Sequence, residues 1–133
     1  MPSIPKIKAE GVYTAISMNC AIVDTKDIGK SAAACLTSKN INEHHGKHYE
    51  MNGPELLTSQ DIGNHIGKAL GIQVNYKEIP KDTLRTIMPP PVAEIYEYMA
   101  EKGKDAAPFT DHVQKLTGQN GTFEQFLKDH LSA

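Results

Sequence analysis

Arginine is nearly absent from this sequence. Of 14 basic residues only Arg85 is one, and the lysines are scattered through a chain whose net charge is −2. Nucleic-acid binders cluster Arg and Lys on one basic face to hold phosphates, so no nucleic-acid partner is expected. Cysteine is scarce as well. Cys20 and Cys35 are the only two, each at an apolar position of a predicted element, which reads as two small buried hydrophobes in a reducing compartment and not as a disulfide. No apolar run approaches the length of a membrane span, and the segment from Met1 to Lys6 holds none of signal-peptide length. A soluble, cytoplasmic chain with no membrane contact is therefore expected.

The loops that cradle phosphates are missing too. Neither Gly-x-Gly-x-x-Gly nor Gly-x-x-x-x-Gly-Lys-[Ser/Thr] occurs, and Gly118-x-x-Gly121 follows a helix where such a loop needs a preceding strand. There is no Gly-x-Ser-x-Gly elbow, and neither cysteine reads as exposed enough to be a nucleophile. No internal repeat stands out, and Pro89-Pro90-Pro91 is the only low-complexity tract.

What is present fits one domain over residues 1–133, long enough to bury about two thirds of its unfolded surface. The most informative stretch is Cys20 to Leu36. An apolar run, Cys20 to Val23, predicts a strand buried on both faces of a parallel sheet. Asp24, Thr25 and Asp27 then offer acceptors to the free N–H groups of a helix beginning near Asp27. Ile28, Ala32, Cys35 and Leu36 recur at helical spacing, and Gly29, Ala33 and Ala34 are small enough to let that helix lie against a sheet.

Around it, residues 1–11 read as a loose leading segment, Val12 to Ile16 as a short strand, and Ser38 to Lys47 as a polar surface loop. His48 to Met51 is a strand candidate stopped by the turn Asn52-Gly53-Pro54. The next helix has the best-specified start: Thr58 as N-cap, Asp61 three residues on, Leu57 and Ile62 as a hydrophobic staple, and Gly71 as a closing residue. Gly63 and Gly67 share one side of it and weaken it unless a neighbour packs closely there. Gln73 to Ile79 alternates as a strand with one wet face, near a sheet edge. A short helix over 82–88 is broken by the prolines. A longer one up to Gly103 carries Val92, Ile95, Tyr96 and Met99 on its apolar stripe, and two further helices end the chain, from Thr110 or Asp111 to Thr117 and from Thr122 to Leu131.

Few residues invite chemistry. His44, His45 and His48 are good ligand types for zinc or copper, yet no cysteine or carboxylate stands at a recognised ligand spacing, and a solvated loop explains them better. Tyr98 and Lys102 have the spacing that sets an ammonium beside a phenol on one helix face, but at the frayed end of their helix. Asp24 and Asp27 are explained by capping. No catalytic residue and no metal ligand is assigned.

Four pieces in order resemble the C-terminal half of the NmrA-like family, atypical relatives of the short-chain dehydrogenases that include NADP(H)-binding redox sensors and quinone reductases. They are Ala21 to Leu36 with its Val23-Asp24-x-x-Asp27-Ile28 turn, His45 to Ile62 with Gly53-Pro54-Glu55 before the capped helix, Val74 to Pro80, and Leu116 to Leu127. The resemblance implies an α/β fold: a small, mostly parallel sheet with helices packed on it, forming the substrate-side part of a Rossmann-like NmrA-type fold. The N-terminal dinucleotide-binding half, with its glycine-rich loop, is absent from residues 1–133. The full-length family uses NADP(H), and none is expected for this chain alone. By resemblance it is the substrate-side portion of an NADP(H)-dependent oxidoreductase or redox sensor, not catalytic by itself. The alternative is a stand-alone interaction module that dimerises or binds a partner through its uncovered sheet. The implied partners are a second copy or a chain supplying the missing half, together with a small-molecule ligand. The loop Tyr13 to Asn19 and the Met88 to Tyr96 region correspond to substrate-side walls, which puts Tyr13, Met18, Asn19, Met88 and Tyr96 at a candidate pocket unless they are ordinary core fillers.

Overall fold

The computed structural model describes residues 3–131. In chain order the elements are α1 (Ile4–Glu10), β1 (Val12–Ala15), β2 (Asn19–Cys20), α2 (Thr25–Leu36), β3 (Leu57–Thr58), α3 (Ser59–Leu70), β4 (Asn75–Glu78), α4 (Leu84–Ile87), α5 (Pro90–Lys102), α6 (His112–Thr117) and α7 (Phe123–Leu131), with 3-10 turns at Ile41–His44, Lys81–Thr83 and Gly103–Asp105. β1 and β4 pair in parallel, Tyr13 opposite Tyr76 and Ala15 opposite Glu78. β2 and β3 form a two-residue antiparallel pair. The architecture is α/β, with a small parallel sheet under many helices.

α3 is the helix that the sheet is built around, and its residues say why. The Thr58 side chain accepts from the Asp61 N–H while the Asp61 carboxylate accepts from the Thr58 N–H, a complete capping box, and Gly71 closes the helix at φ +66°. Ile62 and Ile66 point into the core with Leu57 and Val74. The two glycines let the helix lie on the strands. A Cβ on Gly63 would stand 3.2 Å from Tyr13 Cδ1 on β1, and one on Gly67 2.9 Å from the Ile72 carbonyl and 3.2 Å from Val74 Cβ. α1 and α7 complete this core through Ile7, Phe123 and Leu127. A second cluster, Ile16, Met18, Leu84 and Ala93 with Met88, Tyr96 and Met99, sits beyond the strand ends under α4 and α5.

Four expectations differ from what the chain builds. The loose leading segment is α1: Pro5 occupies the first turn, where its missing N–H is no loss, Ile7 is buried, and Gly11 caps the end in the left-handed conformation. Cys20 to Val23 is extended but only Cys20 is in a sheet, and His48 to Met51 forms no strand. The turn that follows the second stretch touches the first, where the Gly53 N–H donates to the Ala21 carbonyl at 3.2 Å. Both runs have the composition of strands but no ladder to join within the described residues. α2 begins at Thr25 with Asp24 as its N-cap, and it buries Asp27 and Ser31 while packing against α6. Its apolar stripe faces out, with Leu36 75% exposed.

Candidate functional site

Ligands of open parallel sheets bind at the carboxyl ends of the strands. In this chain β1 ends at Ala15 and β4 at Glu78, side by side. The segment that leaves β1 is held firmly. The Ser59 hydroxyl, on a residue 2% exposed at the start of α3, donates to the Ile16 carbonyl at 2.6 Å and accepts from the Met18 N–H at 3.3 Å. The Ser59 N–H donates to the Met18 carbonyl at 3.1 Å. Pairing of Asn19 with Thr58 and of Cys20 with Leu57 continues this clamp. One serine therefore fixes the path on which Met18 and Asn19 are presented.

Met18 turns into a cavity of about 50 Å³ at the strand ends, closed by Thr14, Ile16, Leu84, Met88 and Tyr96. Asn19 and Cys20 instead border an open groove of about 340 Å³ that runs between α5 and the segment around Phe109. Its walls are Ile95, Tyr98, Met99, Leu56 and Phe109, with the Asn19 and Asn52 carboxamides and Lys104 as polar groups. Gly103 bounds it where φ is +56°, and a Cβ there would lie 3.5 Å from the Asn19 amide nitrogen. A wider depression of about 590 Å³ beside Pro54, Phe109, His112 and Asn120 touches neither strand end.

The structure thus divides the five residues of the sequence-based pocket. Met18, Met88 and Tyr96 converge on the small cavity, Asn19 faces the groove, and Tyr13 is 1% exposed in the main core beneath Gly63. The α5 stripe expected from spacing is divided in the same way. Ala93, Tyr96 and Ala100 pack inward, whereas Val92, Ile95 and Tyr98 are exposed. Spacing could not show this, because the apolar arc of α5 is wider than the face its own chain covers. Ser59 and Gly103 carried no signal in the sequence beyond a helix start and a helix end.

Burial sets the protonation of the two titratable groups nearest the end of β1. Burial, reinforced by the neighbouring Tyr76, Cys20 and Tyr96, pushes the Tyr13 phenol up to about 12, and its hydroxyl has no hydrogen-bond partner. Burial also pushes the Cys20 thiol up. Both stay protonated at neutral pH and neither serves as a base. His44 and His48 are engaged elsewhere: His44 Nδ1 lies 2.8 Å from the Tyr49 hydroxyl and His48 Nε2 2.8 Å from Glu50. Among the described residues no group of three or more His, Cys, Asp or Glu side chains is placed to hold a metal, and no helix is long and apolar enough to cross a membrane.

Nor do the residues present fit a dinucleotide. Neither parallel strand runs through a glycine-rich turn into a helix: β1 passes into the clamped segment and β4 into Pro80 and a 3-10 turn.

Comparison with known proteins identifies the family and the fold. The NmrA-like family matches residues 1–127. The (4-alkanoyl-5-oxo-2,5-dihydrofuran-3-yl)methyl phosphate reductase of Streptomyces griseus subsp. griseus is 31% identical over 97% of this chain and 48% of its own length. An NADPH-dependent quinone oxidoreductase from Escherichia coli superposes with a TM-score of 0.77 at 21% identity, over 98% of this chain and 50% of its own. Triphenylmethane reductase from Citrobacter sp., which has also been solved complexed with NADP(H), gives 0.76 at 19% identity over 98% and 47%. The chain spans about half the length of the relatives it matches. It belongs to the NmrA-like family.

Proposed function

We propose that this chain is the substrate-side half of a cytoplasmic NADP(H)-dependent reductase or redox sensor of the NmrA-like family, and that it does not catalyse by itself. The observation that carries the reading is the apolar groove beside the clamped segment that leaves β1, in a chain whose two parallel strands have no phosphate-binding turn. Groove walls of Ile95, Tyr98, Phe109 and Leu56 suit a flat, conjugated, mostly apolar ligand, and the Asn19 carboxamide supplies a hydrogen bond to a carbonyl on it. Quinones and conjugated dyes, named for the relatives above, are of that chemistry.

Titration of the chain with a naphthoquinone, followed by quenching of tyrosine fluorescence, tests the reading. Saturable binding is expected, weakened about tenfold by Ile95→Glu, a loss of about 1.4 kcal/mol. NADPH titrated in the same way is expected to give no saturable signal. Saturable NADPH binding would overturn the proposed division of labour.

A second reading, a stand-alone module that dimerises or binds a partner through its uncovered sheet, is favoured by the outward-facing apolar stripe of α2. Absence of quinone binding together with a stable dimer would select it.

A further inference from the structure

Asn52 opens the turn Asn52-Gly53-Pro54 and is pinned twice. Its carbonyl accepts from the Asn120 Nδ2 at 3.0 Å, and its side-chain Oδ1 accepts from the Thr110 N–H at 2.9 Å. The Thr110 hydroxyl stands between the same Oδ1, at 2.9 Å, and the Glu50 carbonyl, at 3.0 Å. A backbone N–H can only donate, so the oxygen of the carboxamide has to face Thr110 and the amide cannot be turned round. The Asn52 Nδ2 is thereby aimed away from Thr110, as a donor. Among the described residues that nitrogen has no partner, and it is not one of the partnerless atoms sealed from solvent, which are the Tyr13 hydroxyl, Glu55 Oε2 and Asn120 Oδ1. Asn52 is only 9% exposed, and the cavity it borders is the groove of about 340 Å³. The free N–H of a nine-tenths buried side chain therefore opens into that groove.

Charge adds a sign to this donor. Lys104 also borders the groove, and no carboxylate does. Among the described residues the Lys104 ammonium enters no ion pair. We propose that the groove selects a conjugated carbonyl compound that carries an acidic group, the Asn52 Nδ2–H donating to an oxygen of that group and the Lys104 ammonium balancing its charge. The Asn19 carboxamide is left for a carbonyl of the ring. A hydrogen bond to an ionised oxygen is stronger than one to a neutral oxygen, and a donor already held in place loses little freedom when the ligand arrives. A cationic ligand would face the Lys104 ammonium with no carboxylate to offset it. This rests on the reading of the groove as the substrate site and names the class of substrate.

The test titrates the full 133-residue chain with two probes of one ring system, a naphthoquinone and a naphthoquinone sulfonate, and follows tyrosine fluorescence. The sulfonate is expected to bind about tenfold more tightly at low ionic strength, by a margin that shrinks with added salt. Lys104→Gln should reduce that margin to about twofold. Asn52→Asp keeps an oxygen for Thr110 and replaces the groove-facing donor by an acceptor, and its affinity for the sulfonate is expected to fall at least about tenfold. If that variant unfolds, nuclear magnetic resonance of the wild-type chain still decides. The side-chain amide signals of Asn52 should shift as the sulfonate saturates, while the Thr110 backbone amide stays protected from exchange. Equal affinity for the two probes, or Asn52 signals that stay in place at saturation, would overturn the proposal and leave the groove reading standing, provided that Ile95→Glu still weakens naphthoquinone binding. Sulfonate binding that Ile95→Glu does not weaken would put the anion outside the groove and defeat the proposal as well. Saturable NADPH binding would count against the division of labour alone, because the ratio of the two probes does not depend on it. If neither probe binds saturably, the groove reading and the proposal fall together.

Discussion

At the scale of single residues, three glycines and one aspartate fix how the pieces meet. Gly53 is the tightest, because a Cβ there would overlap the Ile22 carbonyl, which is backbone and cannot swing aside. Gly67 would press on the Ile72 carbonyl, and Gly63 only on the ring edge of Tyr13. Urea unfolding of the three alanine variants should follow this order. Gly53→Ala is expected to lose about 3 kcal/mol and Gly67→Ala about 2 kcal/mol. Gly63→Ala should stay within about 1 kcal/mol of wild type, since the gain in helix propensity offsets a small shift of the ring. Equal losses at all three sites would contradict the packing described.

Asp27 is the aspartate. Its side chain lies almost out of solvent and ties α2 to the turn before α7, accepting from the Gly121 N–H at 2.9 Å and from Lys30 Nζ at 3.0 Å. Burial raises its pKa, but the Gly121 N–H and the Lys30 ammonium outweigh burial and hold the carboxyl below its ordinary 3.8. A lowered folded-state pKa gives stability that is fully present above the unfolded value and is lost as pH falls through the folded one. Asp27→Asn is therefore expected to cost about 2 kcal/mol at neutral pH and to flatten the loss of stability below pH 3.8. Denaturation curves of both proteins at neutral and acid pH check this, and an unchanged acid slope would count against it. The sequence marks Asp27 as an acceptor near a helix start. It could not reveal a partner 94 residues away.

At the scale of elements, legibility followed the range of the interactions. α3 was readable because its cap, its staple and its closing glycine are all local. α7 was readable from Thr122, whose hydroxyl accepts from the Gln125 N–H at 3.1 Å, although the Gln125 side chain reaches forward to Asp129 and does not close a capping box. The strands were harder, because a strand is defined by its neighbour: Val12–Ala15 has one and His48 to Met51 has none. α1 was hidden by Pro5, which is harmless in a first turn. α5 supplies the test at this scale. Ala93 is fully buried on its inner side and Ile95 is 60% exposed on its outer side. Ala93→Leu should cost about 1–3 kcal/mol by overpacking, while Ile95→Glu should leave stability within about 0.5 kcal/mol even as it weakens ligand binding about tenfold. A large loss of stability in Ile95→Glu would show that the outer arc is structural.

At the scale of the molecule, the chain resembles one side of a larger object. Its cores are complete under α3 and under α4 and α5, yet apolar surface remains open at the groove and along Ile28, Ala32 and Leu36 of α2. The resemblance made the half-length match to the family legible from the sequence. It could not say which faces stand open, since an apolar stripe looks the same whether its cover belongs to this chain or to another polypeptide. Contiguous apolar surface in water drives association. The isolated chain is therefore expected to self-associate with concentration in sedimentation and to bind a hydrophobic fluorescent probe. Ile28→Lys with Leu36→Glu should reduce both at a stability cost within about 1 kcal/mol, because neither side chain belongs to a core cluster. Unchanged sedimentation in that double variant, with the groove residues intact, would move the cause of association from α2 to the groove.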